Sequence, residues 1–504
     1  MNAAPGRPKQ ARTAARKGEG TSATPAKLAL ARLASTTAGS DSAHPRQWVA
    51  PTLVAVALLV WLAALALFIT TPLSELPRYF LQRYFVLDAT SLLFVLLINT
   101  VFLGIAVYLY SRERSSRLLA QDMLARALLS LMFMLIMNLG VLCNNLVVLW
   151  ALIEASTLCA APLVARGDAA NPRQVAWRYM LYSAMSLAIT FLGFLCLTES
   201  AHLRGVAISF QVDQLGSALS ASPDRWQRLG LALMLFGLGS KLGLAPLYGW
   251  LPETYETAPT STSALLAAVQ FNISVVAVFR VLQVFRGQDG GFVSQELLVM
   301  GCLSLIVAAI QVMAARNYKR LIAYACVSSS GVIAIGLSVG KAAAYGVVLY
   351  VVSNAFVKAL LFLSAGRLRS VYGTNQTDAL TGVIKVLPFS GLLFTVGIFA
   401  LLGFPPFASF LAEMLILSGI VQAGNLMAFA LLCSMLTIIF VATGRSVFPM
   451  LWGASAQPHA PHQESILTIL PKLGFVGVLV MLGAYTPERV SRLLVVVAES
   501  IGGR

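Results

Sequence analysis

Apolar runs of close to twenty residues recur along the chain, separated by short polar or basic stretches. A helix of this length crosses the hydrocarbon core of a bilayer, which is about 30 Å thick. The runs lack the alternation of apolar and polar residues that the strands of a membrane β-barrel require. The pattern therefore predicts an all-α polytopic membrane protein with about thirteen transmembrane helices. The predicted spans are residues 47–70, 86–110, 123–142, 144–166, 174–198, 228–248, 261–285, 296–315, 320–340, 342–366, 385–421, 425–448 and 466–486.

Two of these spans contain glycine and proline residues that interrupt a helix. In residues 237–269, GLGSKLGLAPLYGWLPETYETAPTSTSALLAAV, we expect an apolar helix to run up to Lys241. The expected breakers are Pro246, Gly249 and Pro252, and a second apolar helix is expected to restart near Ser261. In the second half of the chain, Glu413 lies in the interrupted segment LLGFPPFASFLAEMLIL. Helices broken at membrane depth persist only where protein or a water cavity covers the freed backbone groups. The two interrupted spans of this chain lie at corresponding positions in its two halves, which predicts inverted repeats with an ion site at the breaks.

The charge of the chain is concentrated outside the apolar runs. Only 11% of the residues are charged, against about one quarter in soluble domains, and the net charge is +16. Most of the excess lies in a basic tail, residues 1–46, and in short loops, where membrane topology explains it better than nucleic-acid binding does. The tail lacks apolar bulk, so we expect it to be disordered, with a transit peptide or a misassigned start codon as alternatives.

The distribution of lysine and arginine predicts how the chain is oriented. Loops of the same parity as the tail carry clusters of basic residues, which favour the cytoplasmic side. We therefore expect a cytoplasmic N-terminus in a bacterial inner membrane, a C-terminus on the opposite side, and a surface helix near residues 489–501. The clusters are Arg112, Arg114 and Arg117; Arg166, Arg173 and Arg178; Arg316, Lys319 and Arg320; and Arg367 and Arg369.

Cysteine and histidine usage bears on metals and cofactors. The six cysteines lie in or beside apolar runs, and no two have CxxC spacing, which excludes zinc or iron–sulfur sites built from adjacent ligands. All four histidines lie outside the apolar runs, which argues against haem ligation in the membrane. No nucleotide-binding loop or catalytic-triad motif occurs. The sequence therefore predicts no metal, no cofactor and no catalytic residues.

Four ionisable residues lie well inside apolar runs: Glu154, Lys241, Lys358 and Glu413. Placing one such charge at the centre of a bilayer costs roughly 2.5–3.5 kcal/mol on insertion scales. An ion pair that only fixes helix packing is the structural alternative. Because four such residues occur, two of them in broken helices, we favour a proton relay. Burial favours the neutral form of an ionisable group and a nearby opposite charge favours the charged form, so distance couples the proton affinities of such sites.

Other polar residues in or near the spans fit structural roles at least as well as functional ones. Asp88, at a predicted span start, is a candidate helix cap or proton entry group. Gln270 and Asn272 lie within a span, where they are candidates to hold water or to form hydrogen bonds between helices. Three basic residues lie near predicted span ends, where long side chains extend to the membrane surface: Arg178, Arg280 and Lys385.

From about Asp88 to Phe448 the chain resembles the antiporter-like, proton-translocating subunits of respiratory complex I, of cation/proton antiporters and of membrane-bound hydrogenases. It looks most like component F of hydrogenase-4-type complexes. The motifs that carry the resemblance are LIEASTL, which contains Glu154; AWRYMLYS; SKLGLAPLYGWLPETYETAPTSTSALL, which contains Lys241; NYKRLIAYACVSSSG; SNAFVKALLFLSAG, which contains Lys358; and GFPPFASFLAEMLIL, which contains Glu413.

The resemblance implies two inverted five-helix repeats, each with one broken helix. It also implies that Glu154 modulates Lys241, that Lys358 links toward Glu413, and that any redox chemistry occurs in other subunits. The division that follows is the tail, 1–46; N-terminal transmembrane helices, 47–121; a first repeat, 122–285; a second repeat, 296–448; and a C-terminal transmembrane helix and surface helix, 466–504.

The chain departs from the family pattern at the middle of the implied proton path. Three positions where the family usually has histidine carry Tyr255, Ser329 and Asn354. Many relatives also have lysine or histidine in the span that here contains Asn272. Serine, asparagine, tyrosine and water pass protons, but they do not store one near neutral pH as an imidazole does.

We hypothesise a proton-translocating membrane subunit of a complex I-like assembly, of the NADH:quinone oxidoreductase or hydrogenase-4 type. Protons would pass along a Glu–Lys–Lys–Glu series at the membrane midplane. Its partners would be other membrane subunits directly and a peripheral redox module indirectly, with no nucleic acid. Two alternatives are a proton-conducting or structural partner of a soluble enzyme, as in bicarbonate accumulation, and a stand-alone cation/proton antiporter.

Overall fold

The computed structural model describes residues 43–114, 120–167, 170–219, 223–285, 291–454 and 462–502. The predicted disordered tail lies outside these residues, except for residues 43–46, which begin the first helix. Almost all regular structure in the described chain is helical, which confirms the predicted all-α membrane class. The exception is a short antiparallel hairpin of β1, Arg78–Phe80, and β2, Phe85–Leu87.

Eleven helices of the described chain are long and apolar enough to span a membrane, and two pairs of shorter helices form the broken spans. The helices are α1 Ala43–Thr70, α2 Ala89–Arg114, α3 Ala120–Leu142, α4 Leu146–Val164, α5 Pro172–Leu203, α6 Val212–Ala218, α7 Arg225–Leu242, α8 Trp250–Thr257, α9 Thr260–Leu265, α10 Phe271–Phe285, α11 Phe292–Ala314, α12 Tyr318–Val339, α13 Lys341–Tyr372, α14 Val383–Val386, α15 Pro388–Leu401, α16 Ala408–Gln422, α17 Leu426–Trp452, α18 Ile466–Ala484 and α19 Glu488–Gly502. A π-helical turn, Leu266–Gln270, joins α9 to α10 into one span.

The first broken helix ends within one residue of the predicted position, Lys241. Helix α7 stops at Leu242, where Gly243 adopts a φ of 92°, a left-handed conformation that favours glycine. Residues 243–249 are not helical, and α8 begins at Trp250. The prediction that Pro252 breaks the helix is wrong, because Pro252 lies in the first turn of α8, where its missing amide hydrogen is tolerated.

The second broken helix has the same plan. Helix α15 ends at Leu401 and α16 begins at Ala408, with Gly403 at a φ of 67° between them. The single predicted span 385–421 is therefore two short helices around a non-helical segment.

Two sets of five helices follow each other in the chain with the broken helix fourth in each. The sets are α3, α4, α5, α7–α8 and α9–α10, and then α11, α12, α13, α15–α16 and α17. In both sets the third helix packs closely on the fourth. A Cβ added at Gly193 of α5 would lie 2.6 Å from the Gly230 oxygen of α7, and one at Gly419 of α16 would lie 2.6 Å from the Ala342 oxygen of α13. Small residues allow this close approach.

Two spans lie at the centre of the helix packing. The apolar windows of α9–α10 and of α13 are entirely buried by other helices. These two spans carry Gln270, Asn272, Asn354 and Lys358. Both spans at the centre of the helix packing therefore carry buried polar side chains.

The C-terminal helix α19 is amphipathic and packs its apolar face against α13. That this helix lies along the membrane surface stays a prediction. Its Arg489 guanidinium donates hydrogen bonds to the carbonyl oxygens of Phe68 and Thr71. The side of the membrane on which each loop lies stays a prediction.

Candidate functional site

Lys241 lies in the last turn of α7, directly before the first break, and its side chain is buried. Its ammonium group donates hydrogen bonds to Thr157 Oγ1 of α4 at 2.7 Å and to Ser183 Oγ of α5 at 2.5 Å. The rings of Tyr179 and Trp250 lie 5.1 and 5.4 Å from its Nζ, as ring centroids. Two hydroxyls and two aromatic faces therefore replace the hydration shell of this ammonium.

Glu154 lies one turn before Thr157 on α4. It is half-buried, and its Oε2 atom is buried without a hydrogen-bond partner. It interacts electrostatically with Lys241, but the two residues form no direct ion pair. The acid and the base are therefore close enough to influence each other and far enough apart for a bridging group.

A second set of hydrogen bonds connects this site to the centre of the protein. The Tyr179 hydroxyl donates to Gln270 Oε1 at 2.8 Å, and Gln270 Nε2 donates to Ser156 Oγ at 2.9 Å. Gln270 is the last residue of the π turn Leu266–Gln270. Single π turns inside α-helices are frequent at functional sites. Here the turn presents Gln270 to the helices that hold Glu154 and Lys241.

The residues after the π turn lead toward Lys358. Asn272 is fully buried; its Nδ2 donates to the Ala268 oxygen, and its Oδ1 has no hydrogen-bond partner. Lys358 of α13 is also fully buried, and its Nζ has no hydrogen-bond partner. That Nζ lies 3.3 Å from the ring centroid of Phe271, the residue between Gln270 and Asn272. The span formed by α9, the π turn and α10 thus contacts the surroundings of both lysines.

One turn before Lys358, Asn354 faces α12. Its Oδ1 lies 3.5 Å from Ser329 Oγ, and its Nδ2 is buried without a hydrogen-bond partner. The hydroxyl of Ser329 donates mainly to the Ala325 oxygen within its own helix. Tyr350, one turn before Asn354 on α13, interacts electrostatically with Glu413. Polar groups therefore continue from Lys358 toward the second break.

Glu413 lies in α16, after the second break, and its side chain reaches back to that break. A Cβ added at Gly403 would overlap Glu413 Oε2. No described side chain forms a hydrogen bond or an ion pair with this carboxylate. The structure thus brings Glu154, Lys241 and Gln270 together, whereas Lys358 and Glu413 have no direct polar contact with each other.

Tyr255, which replaces a family histidine, is part of an aromatic wall. Its ring packs edge to face on Trp250 and on Phe362, and Trp250 packs against Tyr179. Tyr255 is fully buried, and no hydrogen bond of its hydroxyl occurs among the described side chains. It therefore lines the region between the two lysines as a mainly apolar group.

Asp88 and Arg280 form a cluster away from this series. The prediction that Arg280 extends to the membrane surface is wrong: the side chain is 2% exposed, forms an ion pair with Asp88 and donates to Ser91 Oγ. Asp88 also accepts the Ser91 amide, so it caps α2. Burial raises the pKa of Asp88, but the Arg280 charge and the hydrogen bonds outweigh burial and hold that pKa below its usual range. Arg178 is half exposed and pairs with Glu253 at 2.7 Å.

Sequence inspection missed a further buried charge in a span, Lys472 of α18. Its Nζ donates to Ser390 Oγ at 2.8 Å, and the amide and hydroxyl of Ser390 donate to Glu464. Arg367 lies 3.8 Å from the same carboxylate. The signal was present, because Lys472 is a lone lysine within the predicted span 466–486, just as Lys241 is in its own span.

The chemistry available to this site is proton transfer between carboxylates, lysines and hydroxyls. Among the described residues, no group of three or more His, Cys, Asp or Glu side chains is placed to hold a metal ion. The free cysteines of the described chain do not approach one another as disulfides.

Comparison with known proteins places the chain in a family. It is 25% identical over 419 residues to a hydrogenase-4 component F homolog from Methylacidiphilum infernorum, covering 81% of this chain and 86% of that protein. It is 31% identical over 301 residues to NADH-quinone oxidoreductase subunit N from Desulforudis audaxviator, covering 58% of each. A chain of the membrane-bound sulfane sulfur reductase, an archaeal respiratory membrane complex, superposes with a TM-score of 0.78 at 21% identity, covering 90% of this chain and 92% of that one. The family model described as NADH:quinone oxidoreductase/Mrp antiporter, TM, matches residues 143–440, and the chain belongs to that family of antiporter-like membrane subunits.

Proposed function

We propose that this chain translocates protons along the series Glu154, Lys241, Lys358 and Glu413 as a membrane subunit of a complex I-like or hydrogenase-4-like assembly. The observation that carries the proposal is the set of buried polar atoms without protein partners along this series. These atoms are Glu154 Oε2, Asn272 Oδ1, Asn354 Nδ2 and Lys358 Nζ.

Such atoms are costly unless something satisfies them. Leaving a buried donor or acceptor unpaired costs about 1–3 kcal/mol, and more for a charged group. Ordered water is the usual partner of buried polar groups that lack a protein partner. A series of such sites around the two buried lysines is suited to a hydrated path. Water and hydroxyl groups then carry the proton where the family pattern usually has histidine.

The first step of the relay depends on Glu154 and Lys241. With the carboxylate near, the ammonium form of Lys241 is favoured; with the carboxylate farther away, burial favours the neutral amine. A conformational change that lengthens their separation would therefore release a proton from Lys241. Thr157 and Ser183 already contact the ammonium and provide hydroxyl oxygens next to it.

The released proton moves toward Lys358, which takes it up as an ammonium ion. Gln270 and Asn272, on either side of Phe271, lie between the two lysines, and Asn354 and Ser329 follow on the far side. Glu413, at the second break, is the terminal acceptor of the series. Because the carboxylate contacts a non-helical segment, its surroundings can change without unwinding a continuous helix.

The assembly supplies the driving force. The related proteins are named as parts of multi-subunit systems, and the archaeal chain with the same fold belongs to a respiratory membrane complex. We infer that other membrane subunits contact this chain directly and that a peripheral redox module acts on it from a distance. Proton release at Lys241 would then follow from rearrangement in a neighbouring subunit.

The proposal is tested by proton uptake in vesicles that contain the whole assembly. Lys241→Met and Glu413→Gln are each expected to abolish turnover-dependent proton uptake, while Lys385→Gln, which alters an exposed lysine outside the series, is expected to leave it unchanged. Proteins that co-purify with the chain identify the assembly. Coupling that is unchanged in both Lys241→Met and Glu413→Gln would refute the relay.

A further inference from the structure

A cleft of about 1070 Å³ opens between the C-terminal end of α11, the loop at residues 377–381 and the second half of α17. This volume slightly exceeds the roughly 300–1,000 Å³ that small-molecule sites occupy. None of the four relay residues lines the cleft.

Apolar and basic side chains both line the cleft. Met313 of α11 and Val441 of α17 are its exposed apolar walls, at 58% and 60% exposure. Arg445 follows Val441 by one turn of α17, and Arg316 follows Met313 by three residues, just past the end of α11. Apolar side chains next to paired basic groups match the order of acyl chain and phosphate in a phospholipid.

Both guanidiniums are free to bind a ligand. Neither Arg316 nor Arg445 forms an ion pair or a side-chain hydrogen bond within the described chain. Thr377 also lines the cleft; it is 5% exposed, and its Oγ1 has no hydrogen-bond partner. The Thr377 amide donates to the Arg316 oxygen at 2.8 Å, which fixes the loop beside that arginine. A buried hydroxyl without a partner beside two free arginines marks a site for a polar ligand.

The net charge of the cleft indicates which class of ligand it binds. Two arginines and the carboxylate of Asp378 give the cleft a net charge of about +1, which a single phosphodiester balances. A zwitterionic headgroup would leave that charge uncompensated. Asp378 can accept a hydrogen bond from a headgroup hydroxyl. Basic pockets at the ends of transmembrane helices are known sites for anionic headgroups.

We propose that this cleft binds one anionic phospholipid, with its phosphodiester between Arg316 and Arg445, its headgroup toward Asp378 and Thr377, and its acyl chains along Met313 and Val441. The lipid would fill the groove between α11 and α17 at the membrane surface. This binding does not depend on proton translocation.

The test compares assemblies that carry the wild-type chain or the double variant Arg316→Gln, Arg445→Gln, each in phosphatidylcholine nanodiscs. Phosphatidylglycerol is added, and its affinity is measured by native mass spectrometry. We expect the double variant to bind phosphatidylglycerol about thirty-fold more weakly, since each basic residue near the surface contributes about fivefold. The control Lys385→Gln removes an exposed positive charge outside the cleft and is expected to bind as the wild type does.

Thr377→Val provides a second variant that changes no charge, in case the double variant does not assemble. It is expected to weaken phosphatidylglycerol binding about fivefold, the effect of losing one hydrogen bond. Unchanged binding in these variants would overturn the proposal. So would equal affinity for phosphatidylethanolamine, displacement of the lipid by inorganic phosphate, or loss of a partner subunit from the double variant with lipid binding intact.

Discussion

Asparagine in place of Asp88 would remove the only acidic partner that Arg280 has in the described chain. Arg280 is 2% exposed and donates to both carboxylate oxygens of Asp88, to Ser91 Oγ and to Gln283 Oε1. The substituted side chain would keep the size of the original and one acceptor oxygen. The arginine would then be a buried charge without a countercharge.

The expected decrease in the free energy of unfolding follows from the loss of this countercharge. Removing one member of a buried ion pair costs about 3–5 kcal/mol, largely because the other charge is left uncompensated. Since Ser91, Gln283 and the amide oxygen of the introduced asparagine still accept hydrogen bonds, we expect a loss of about 3 kcal/mol, the lower end of this range. Adding Arg280→Met to Asp88→Asn removes the buried charge, so the double variant is expected to regain part of the lost stability.

The assay is unfolding in detergent, followed by a thiol-reactive dye. Cys143 is fully buried and pairs through a backbone bridge with Phe85, three residues before Asp88, so its labelling reports opening of this region. The pKa of Asp88 is lowered in the folded protein, so its stabilisation is complete above the unfolded pKa of about 3.9 and is lost as pH falls through the folded value. The wild type, and not Asp88→Asn, should therefore lose this stability in acid.

The matched control is Glu199→Gln, which neutralises an exposed carboxylate that forms no ion pair within the described chain and should change stability by less than about 0.5 kcal/mol. If Asp88→Asn were as stable as the wild type, and Cys143 labelled no faster, the cluster would not hold α2 to α10 as argued.

Two further predictions concern the site. In Gly403→Ala, the new Cβ would overlap Glu413 Oε2, so we expect the carboxylate to move and proton uptake to fall. Gly424 also has a positive φ, but a Cβ added there meets open space, so Gly424→Ala should retain proton uptake. This control separates displacement of the carboxylate from backbone strain. In Gln270→Leu, the Tyr179 hydroxyl loses its acceptor, for a cost of about 1–3 kcal/mol in denaturant unfolding. Adding Tyr179→Phe should recover part of that cost, and failure to recover it would contradict the hydrogen-bond account.

The fold was predictable because its main determinant is local. Each apolar run of membrane-spanning length forms a helix, so the number and order of the spans follow from hydrophobicity alone. The two interrupted spans also follow from local residue types. The exact residues of the first break did not follow from local residue types, because Pro252 is compatible with the first turn of a helix and Gly243 is the residue that ends α7.

The site was predictable only in part. A lone charge in an apolar run identified Lys241, Lys358 and Glu413 as buried or half-buried groups at the helix breaks and the centre. The same rule applied to residues 466–486 would have included Lys472. The partners of Lys241 depend on how α4, α5 and α7 pack together, and no local pattern specifies that Thr157 and Ser183 meet its ammonium.

Arg280 shows why position in a span is a poor guide to exposure. It lies near the end of α10, where a long basic side chain ordinarily reaches water. Asp88, almost two hundred residues earlier in the chain, instead pairs with it inside the protein. Such a contact is non-local, so hydrophobicity and spacing do not predict it.

The most direct test of the central claim is the number of protons translocated per turnover by vesicles containing the assembly with Lys358→Met. Lys358 is fully buried, has no hydrogen-bond partner for its Nζ, and stands between the two ends of the series. We expect the Lys358→Met variant to assemble and to translocate fewer protons per turnover than the wild type and the Lys385→Gln control. An unchanged stoichiometry in Lys358→Met would contradict proton transfer through the centre of this protein.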